Sequence, residues 1–308
     1  MTARPQDAAL RRGRRASRLR RAVTGWGFVS PFTLLFAVFM AGPVLISLAM
    51  SFTDMRSADV RDPLGVNFVG FDQYAKVFGD PLFVKAAGNT GMFVLIGVPL
   101  TMAAGLAVAL GLNSGLTKFK TLFRVGYYLP VVTSIVAVSV VWRFLLQPDT
   151  GLVNSLLGLV GVDGPNWLDD PGLSLPSLIV MAAWRNLGFQ MVIFLAGLQA
   201  IPANLYEAAR LDGASRWQQF RYVTLPMLRP TMLFVAVITT ISYLQFFEES
   251  YVMTQGGPLN STLSVSFHVF KQFGFGNYGY ASAMSYILFV AIVALSLLWF
   301  RLLKRKDQ

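Results

Sequence analysis

Six stretches of about twenty apolar residues each, 28–52, 86–112, 125–146, 175–198, 231–253 and 281–300, limit what this chain can become. A bilayer core about 30 Å thick needs roughly 20 residues of helix to cross it. Only 13% of the residues are charged, about half of the share usual in soluble domains. A globule of 308 residues would still need a polar skin, and lipid removes that need. The sequence therefore reads as an all-α integral membrane protein with six transmembrane helices. The fourth stretch is the least regular, because Trp184-Arg185-Asn186 and Gln190 interrupt it. Pro43 and Pro99 are compatible with lipid-embedded helices whose neighbours satisfy the freed backbone groups.

Lysines and arginines orient the bundle. Residues 1–26 form a leader with eight arginines and one acid, and residues 27–308 hold the membrane domain. Alternate segments between the stretches total 19 basic residues on one side and 5 on the other. Both termini are therefore expected in the cytoplasm. The same asymmetry accounts for the pI near 10.1 without nucleic acid, and favours contact with anionic membrane lipid. The first stretch is too long for a signal-peptide core, and no small-residue cleavage site follows it, so it reads as a retained helix. The absence of cysteine excludes disulfides, thiolate metal sites and cysteine nucleophiles, and a single histidine, His268, argues against a histidine metal site or triad. His268 itself reads as an ordinary loop residue.

The loop between the fourth and fifth stretches, about 199–230, has the pattern of two short helices. Asn204 with Glu207 suggests one capping box and Ser215 with Gln218 a second. Gly213 suits the left-handed position that ends a helix. Leu225-Pro226 is expected to stop the second helix before Arg229-Pro230 opens the next span. Such a knuckle, held at both ends by the bundle, can pass on a displacement from a cytoplasmic partner. A simple surface hairpin has the same pattern, and in that reading Glu207 does no more than cap its helix.

Here the sequence resembles a known family. Glu207-Ala208-Ala209, three residues, Gly213, nine residues and Val223-x-Leu225-Pro226 are similar to the EAA loop of binding-protein-dependent ABC importer permeases, with valine in place of isoleucine. Ser51-Phe52-Thr53-Asp54, Phe68 to Tyr74, Asn89-Thr90, Tyr127-Tyr128-Leu129-Pro130, Leu195 to Leu198, Gly256-Gly257-Pro258 and Tyr278 to Ala281 extend the likeness, in order, to the sugar and glycerol-phosphate permeases. The resemblance implies the type I importer permease fold and a bacterial or archaeal cytoplasmic membrane. It further implies a second homologous permease subunit, two copies of a cytoplasmic ATPase subunit and an extracytoplasmic solute-binding protein. Glu207, Ala208, Ala209, Asp212, Gly213, Leu225 and Pro226 would couple the bundle to the ATPase. The chain has no Gly-Lys dipeptide, hence no Walker A loop, and no cofactor is expected in it. ATP and Mg would be used by the partner ATPase subunits.

Counting depth along the fourth and fifth stretches brings polar and aromatic residues to mid-membrane, where polar groups are costly unless they face a cavity or a partner. Trp184, Asn186 and Gln190 lie on one helix, and Thr239, Tyr243, Gln245, Phe246 and Glu248 lie on the other or near its outer end. Amides, hydroxyls and aromatic faces suit a sugar, so these eight are candidate substrate contacts. Hydrogen bonding between spans explains the threonines equally well. Arg143 is placed to pair with Glu248 or Glu249 near the outer surface. An ion-coupled secondary transporter is the competing function, although Glu248 is the deepest carboxylate on offer. A membrane enzyme is a further alternative, with Asp169-Asp170 as its only outer acidic pair.

Overall fold

The computed structural model describes residues 24–62, 65–114 and 119–303, and helices account for most of them. The arginine-rich leader lies outside the described residues. In chain order the helices are α1 (Thr24–Met50), α2 (Asp72–Gly79), α3 (Pro81–Asn113), α4 (Lys120–Val132), α5 (Ile135–Leu145) and α6 (Leu152–Leu159). Then come α7 (Ser174–Gln199), α8 (Ala203–Leu211), α9 (Arg216–Leu244), α10 (Glu248–Met253), α11 (Val265–Gly274) and α12 (Tyr278–Leu303). Five of them, α1, α3, α7, α9 and α12, are long and apolar enough to cross a membrane singly.

Two expected spans come out differently. The stretch at 125–146 is not one rod: α4 and α5 meet at a bend of 101°. Thr133 and Ser134 leave the helical region of backbone space, with ψ of 144° and 128°, three residues after Pro130 has removed a backbone donor. Apolar content does not reveal a bend of that kind, because apolar residues run on across it from Val125 to Leu146. The fifth span is shifted as well. It starts at Arg216 rather than near 231 and ends at Leu244, so Glu248 and Glu249 belong to the separate helix α10.

α3 and α7 pack along much of their length and form the spine of the bundle. One cluster joins Phe93 and Val98 of α3 to Leu178, Ile179 and Met181 of α7 and to Tyr243 and Phe246. A second, nearer the 199–230 loop, gathers Ala109, Leu112, Met191, Phe194, Leu198 and Leu228. No residue in the apolar windows of α1 and α12 is fully buried within this chain, and although Trp299 of α12 packs on the core and donates to Thr240 Oγ1 at 2.8 Å, much of both helices is left to lipid or another subunit.

The end of the bundle opposite the 199–230 loop is a lid of short elements. Thr53 bridges Phe68, the Gly279 N–H donates to the Met55 carbonyl at 3.0 Å, and Asn89 Nδ2 donates to the carbonyls of Asn260 and Leu263 at 2.8 and 2.9 Å. The Val265 N–H reaches Thr90 Oγ1 at 3.1 Å. Most of the short strings scattered from Ser51 to Ala281 in the sequence thus meet in one cap.

Asp80 pins that cap. Its side chain caps α3 by accepting the Leu82 N–H at 2.8 Å, and its Oδ2 accepts the Tyr280 hydroxyl at 2.8 Å. His268 Nε2 lies 3.2 Å from the same oxygen. His268 is not a loop histidine: it sits on α11 and is 1% exposed. Burial pushes the Asp80 carboxyl pKa up, but the bonds from Tyr280, the Leu82 amide and His268 outweigh it and hold the group below the usual 3.8. A lowered folded-state pKa contributes stability that is complete above the ordinary carboxylate value and is lost as pH falls through the lowered one. Asp80→Ala also strands the Tyr280 hydroxyl and a buried imidazole. The expected cost is on the order of 3 kcal/mol at neutral pH. It is read as a lower thermal midpoint of the detergent-purified chain, and an unchanged midpoint would show that the cluster does not hold the cap.

Candidate functional site

The 199–230 segment forms a hairpin of α8 and the first turns of α9. α8 begins at Ala203 after Pro202, with no side-chain cap, so the expected box between Asn204 and Glu207 does not form. Asn204 is already inside the helix, because Pro202 holds the extended conformation that precedes a helix start. Glu207 is exposed and makes no hydrogen bond or ion pair among the described residues. Capping therefore does not explain it.

The turn itself is tightly specified. Gly213 has φ +76°, its N–H donates to the Arg210 carbonyl at 3.0 Å, and the Ala214 N–H donates to the Ala209 carbonyl at 2.9 Å. This pair of bonds is the Schellman closure of a helix. The spacing from Ala209 to Gly213 thus sets where the chain reverses. Ser215 and Gln218 form the expected reciprocal box, at 3.3 and 2.7 Å. Ala208, Asp212 and Pro226 are exposed, and Ala209 and Leu225 are half-buried.

Leu225-Pro226 does not stop the second helix. α9 continues from Arg216 into the span through a π-helical turn at Phe220–Thr224. Pro226 and Pro230 each fall in the first turn of a new helical register, where the missing donor costs little. The Tyr206 hydroxyl bonds Thr224 Oγ1 at 2.9 Å and ties α8 to α9. The hairpin is thus one piece with a membrane-crossing helix, and it presents Leu211, 90% exposed, with Trp217 and Tyr222 also open.

At mid-depth the structure divides the eight candidate contacts into two groups. Tyr243, 2% exposed, bonds Thr101 at 2.7 Å and stands edge-on to Phe93. Phe246 stacks on Phe93 at 4.0 Å. Gln190 Nε2 donates to Thr239 Oγ1 at 2.8 Å, and Thr239 donates to the Val235 carbonyl. These four residues lock α3, α7 and α9 together. Thr239, Tyr243 and Phe246 do share one face, and that face turns into the bundle.

The other four lie at or near open surface. Trp184 is 45% exposed, with its ring 5.6 Å from that of Trp142. Asn186 is half-buried, and its Nδ2 is held by the Ala182 carbonyl at 2.9 Å. Gln245 and Glu248 are exposed, and Gln245 continues the face of α9 on which Phe234 and Ser242 are open and Ile238 is half-buried.

Arg143 does not pair with Glu248 or Glu249. Among the described residues the one ion pair is His268 with Asp80. Arg143 instead lines a polar cavity of about 430 Å³ with Gln147, Asn166, Asp169, Thr254 and Gln255. Glu249 is buried with Oε2 unpartnered, and the charge acting on it from across the bundle is Arg185, whose Nε is also buried without a partner. Sequence reasoning did not anticipate this relation, nor the roles of Phe93 and Thr101. A buried threonine in the middle of an apolar span was the one signal available.

A bundle of several membrane-crossing helices, with a hairpin continuous with one span and a polar seam joining that span to two others, is the architecture of a membrane transport component. Residues 8–306 match the binding-protein-dependent transport system inner membrane component family, and the chain belongs to that family. It is 36% identical over 284 residues to a lactose transport system permease protein of Rhizobium radiobacter, spanning 90% of this chain and 93% of that one. It is 33% identical to an arabinooligosaccharides transport system permease protein of Bacillus subtilis, across 89% and 87% of the two chains. Its fold superposes with a TM-score of 0.80 and 26% identity on a chain of a bacterial alginate ABC transporter, solved with an alginate pentasaccharide-bound periplasmic protein. That match covers 94% of this chain and 96% of the other.

Proposed function

We propose that the chain is the permease subunit of an ATP-driven ABC importer for a carbohydrate, a di- or oligosaccharide or a glycerol-phosphate-type solute. Both termini and the 199–230 hairpin face the cytoplasm. The observation that carries the reading is the hairpin. It is a Schellman-closed turn, fused to a membrane-crossing helix, that offers an unpaired glutamate and open apolar side chains to a partner. In this proposal the partners are a second homologous permease, two ATPase subunits that use ATP and Mg, and an extracytoplasmic solute-binding protein. Closure of the ATPase pair moves the hairpin, and α9 carries that movement to the seam as a rod.

Substrate meets Trp184, Asn186, Gln245 and Glu248. The Trp142 and Trp184 rings offer apolar faces for a sugar ring, and the amides and carboxylate take its hydroxyls. Gln190, Thr239, Tyr243 and Phe246 hold the wall behind these groups. Support comes from the relatives, each named for a saccharide, and from the open polar cavity around Arg143.

The test is reconstitution with the partner subunits in vesicles and measurement of binding-protein-dependent sugar uptake. Uptake is expected only with ATP. Trp184→Ala and Gln245→Ala are each expected to lower it about tenfold with assembly intact, the equivalent of one lost good contact. Thr239→Val is expected to lower thermal stability instead. Uptake by this chain alone, driven by a proton gradient, would establish the ion-coupled alternative.

A further inference from the structure

A second cavity, of about 410 Å³, opens between the hairpin end of α9 and the last turn of α12. Its polar wall is Arg221, Tyr222 and Arg229, and its apolar wall is Leu225, Met232 and Leu303. Neither arginine makes a hydrogen bond or an ion pair among the described residues. The acids on the hairpin, Glu207 and Asp212, are exposed and lie beyond 4.0 Å of every arginine among the described residues. Two guanidinium groups without a partner among the described residues therefore line a space that no described residue fills.

The position of the cavity selects its occupant. Met232 and Leu303 belong to helices apolar enough to cross the membrane, and Arg221 lies about two turns beyond the start of the second helical register at Arg229. Along α9 the lining runs Arg221, Leu225, Arg229, Met232, so the two arginines flank one leucine at the hairpin end and the wall turns wholly apolar at Met232, as phosphate gives way to acyl chain in a lipid leaflet. Guanidinium groups recognise phosphate through paired N–H donors, and a tyrosine at the same level suits the head-group region.

We propose that this cavity is a binding site for one anionic phospholipid, with the phosphate on Arg221 and Arg229 and an acyl chain along Met232 and Leu303. The site does not depend on the transport reading. It adjoins Leu225-Pro226, so lipid held there braces the junction between hairpin and span.

The test is native mass spectrometry of the purified full chain after equilibration with mixed micelles containing phosphatidylglycerol or phosphatidylcholine. Phosphatidylglycerol is expected to be retained about tenfold more than phosphatidylcholine. The variant carrying both Arg221→Gln and Arg229→Gln is expected to lose that preference, whereas Arg301→Gln, a change in an exposed arginine at the same end but outside the cavity, keeps it. On the unaltered chain, about 1 M salt, which shortens the Debye length to about 3 Å, should erase the preference without reducing phosphatidylcholine retention. Equal retention of the two lipids overturns the proposal. So does a preference that survives the double substitution, or displacement of the lipid by millimolar inorganic phosphate, which would mark a site for soluble anions.

Discussion

Gly213→Pro is expected to abolish ATP-coupled transport while leaving the chain inserted in the membrane. Proline holds φ near −65°, and the turn needs +76° at this position. It also lacks the N–H that Gly213 donates to the Arg210 carbonyl. No neighbour lies within 4 Å of the place a Cβ would take, so backbone geometry alone decides the outcome. That separates graded substitutions. Gly213→Asn should retain most activity, because asparagine tolerates the left-handed region, and Gly213→Ala should fall between, at a cost of about 1–2 kcal/mol. Glu207→Lys leaves the fold untouched, since Glu207 has no partner among the described residues, but reverses its charge towards the proposed ATPase subunit. Loss of a close charge pair at an interface costs about 2–5 kcal/mol, roughly 30-fold or more in affinity. The measurement is substrate-stimulated ATP hydrolysis by the assembled complex, beside the thermal midpoint of this chain alone. Full hydrolysis in both Gly213→Pro and Glu207→Lys would remove the hairpin from the coupling path.

Gly188→Leu is expected to have the largest effect on folding. At Gly188 the backbone of α7 rests against the carbonyl of Tyr127 and the Cα of Tyr128 on α4. A Cβ there would meet main chain, which cannot turn aside as a flexible side chain does. α4 has to move away from α7, and overpacking on this scale costs about 3 kcal/mol or more. The bend between α4 and α5 then loses its seat. Gly126→Ala provides the contrast, because Gly126 also lies on α4 but has nothing within 4 Å of its missing Cβ. Thermal unfolding in detergent should show a large fall for Gly188→Leu and almost none for Gly126→Ala. Equal midpoints would mean that α4 does not lean on α7 as described.

The contrast between Gly188 and Gly213 shows how much of the site was legible in advance. Gly213 was readable because its role is local: a glycine four residues after Ala209 closes a helix whatever surrounds it. The Ser215 and Gln218 box was readable for the same reason. Asn204 and Glu207 have the same spacing, yet Pro202 had already begun the helix, and a different local rule prevailed. Leu225-Pro226 looked like a stop because proline breaks helices. The π-helical turn before it, braced by Tyr206 and Thr224, reset the register so that the helix ran on. The partner of Gly188 lies some sixty residues away on α4, and nothing in its own neighbourhood announces it.

By itself the sequence determined what depends on period, length and charge: a helical membrane protein, four of its six apolar stretches as single long helices, the basic side, and the hairpin with its glycine turn. These follow from burial of apolar length and from bonds made within a few residues. Tertiary structure alone decided which face of α9 turns inward. Thr239, Tyr243 and Phe246 were taken up by Gln190, Thr101 and Phe93, because polar and aromatic groups inside a bundle bond to whichever neighbour arrives first. The face of Ser242 and Gln245 stayed exposed. Period identifies a face, but only packing against distant helices says what that face meets.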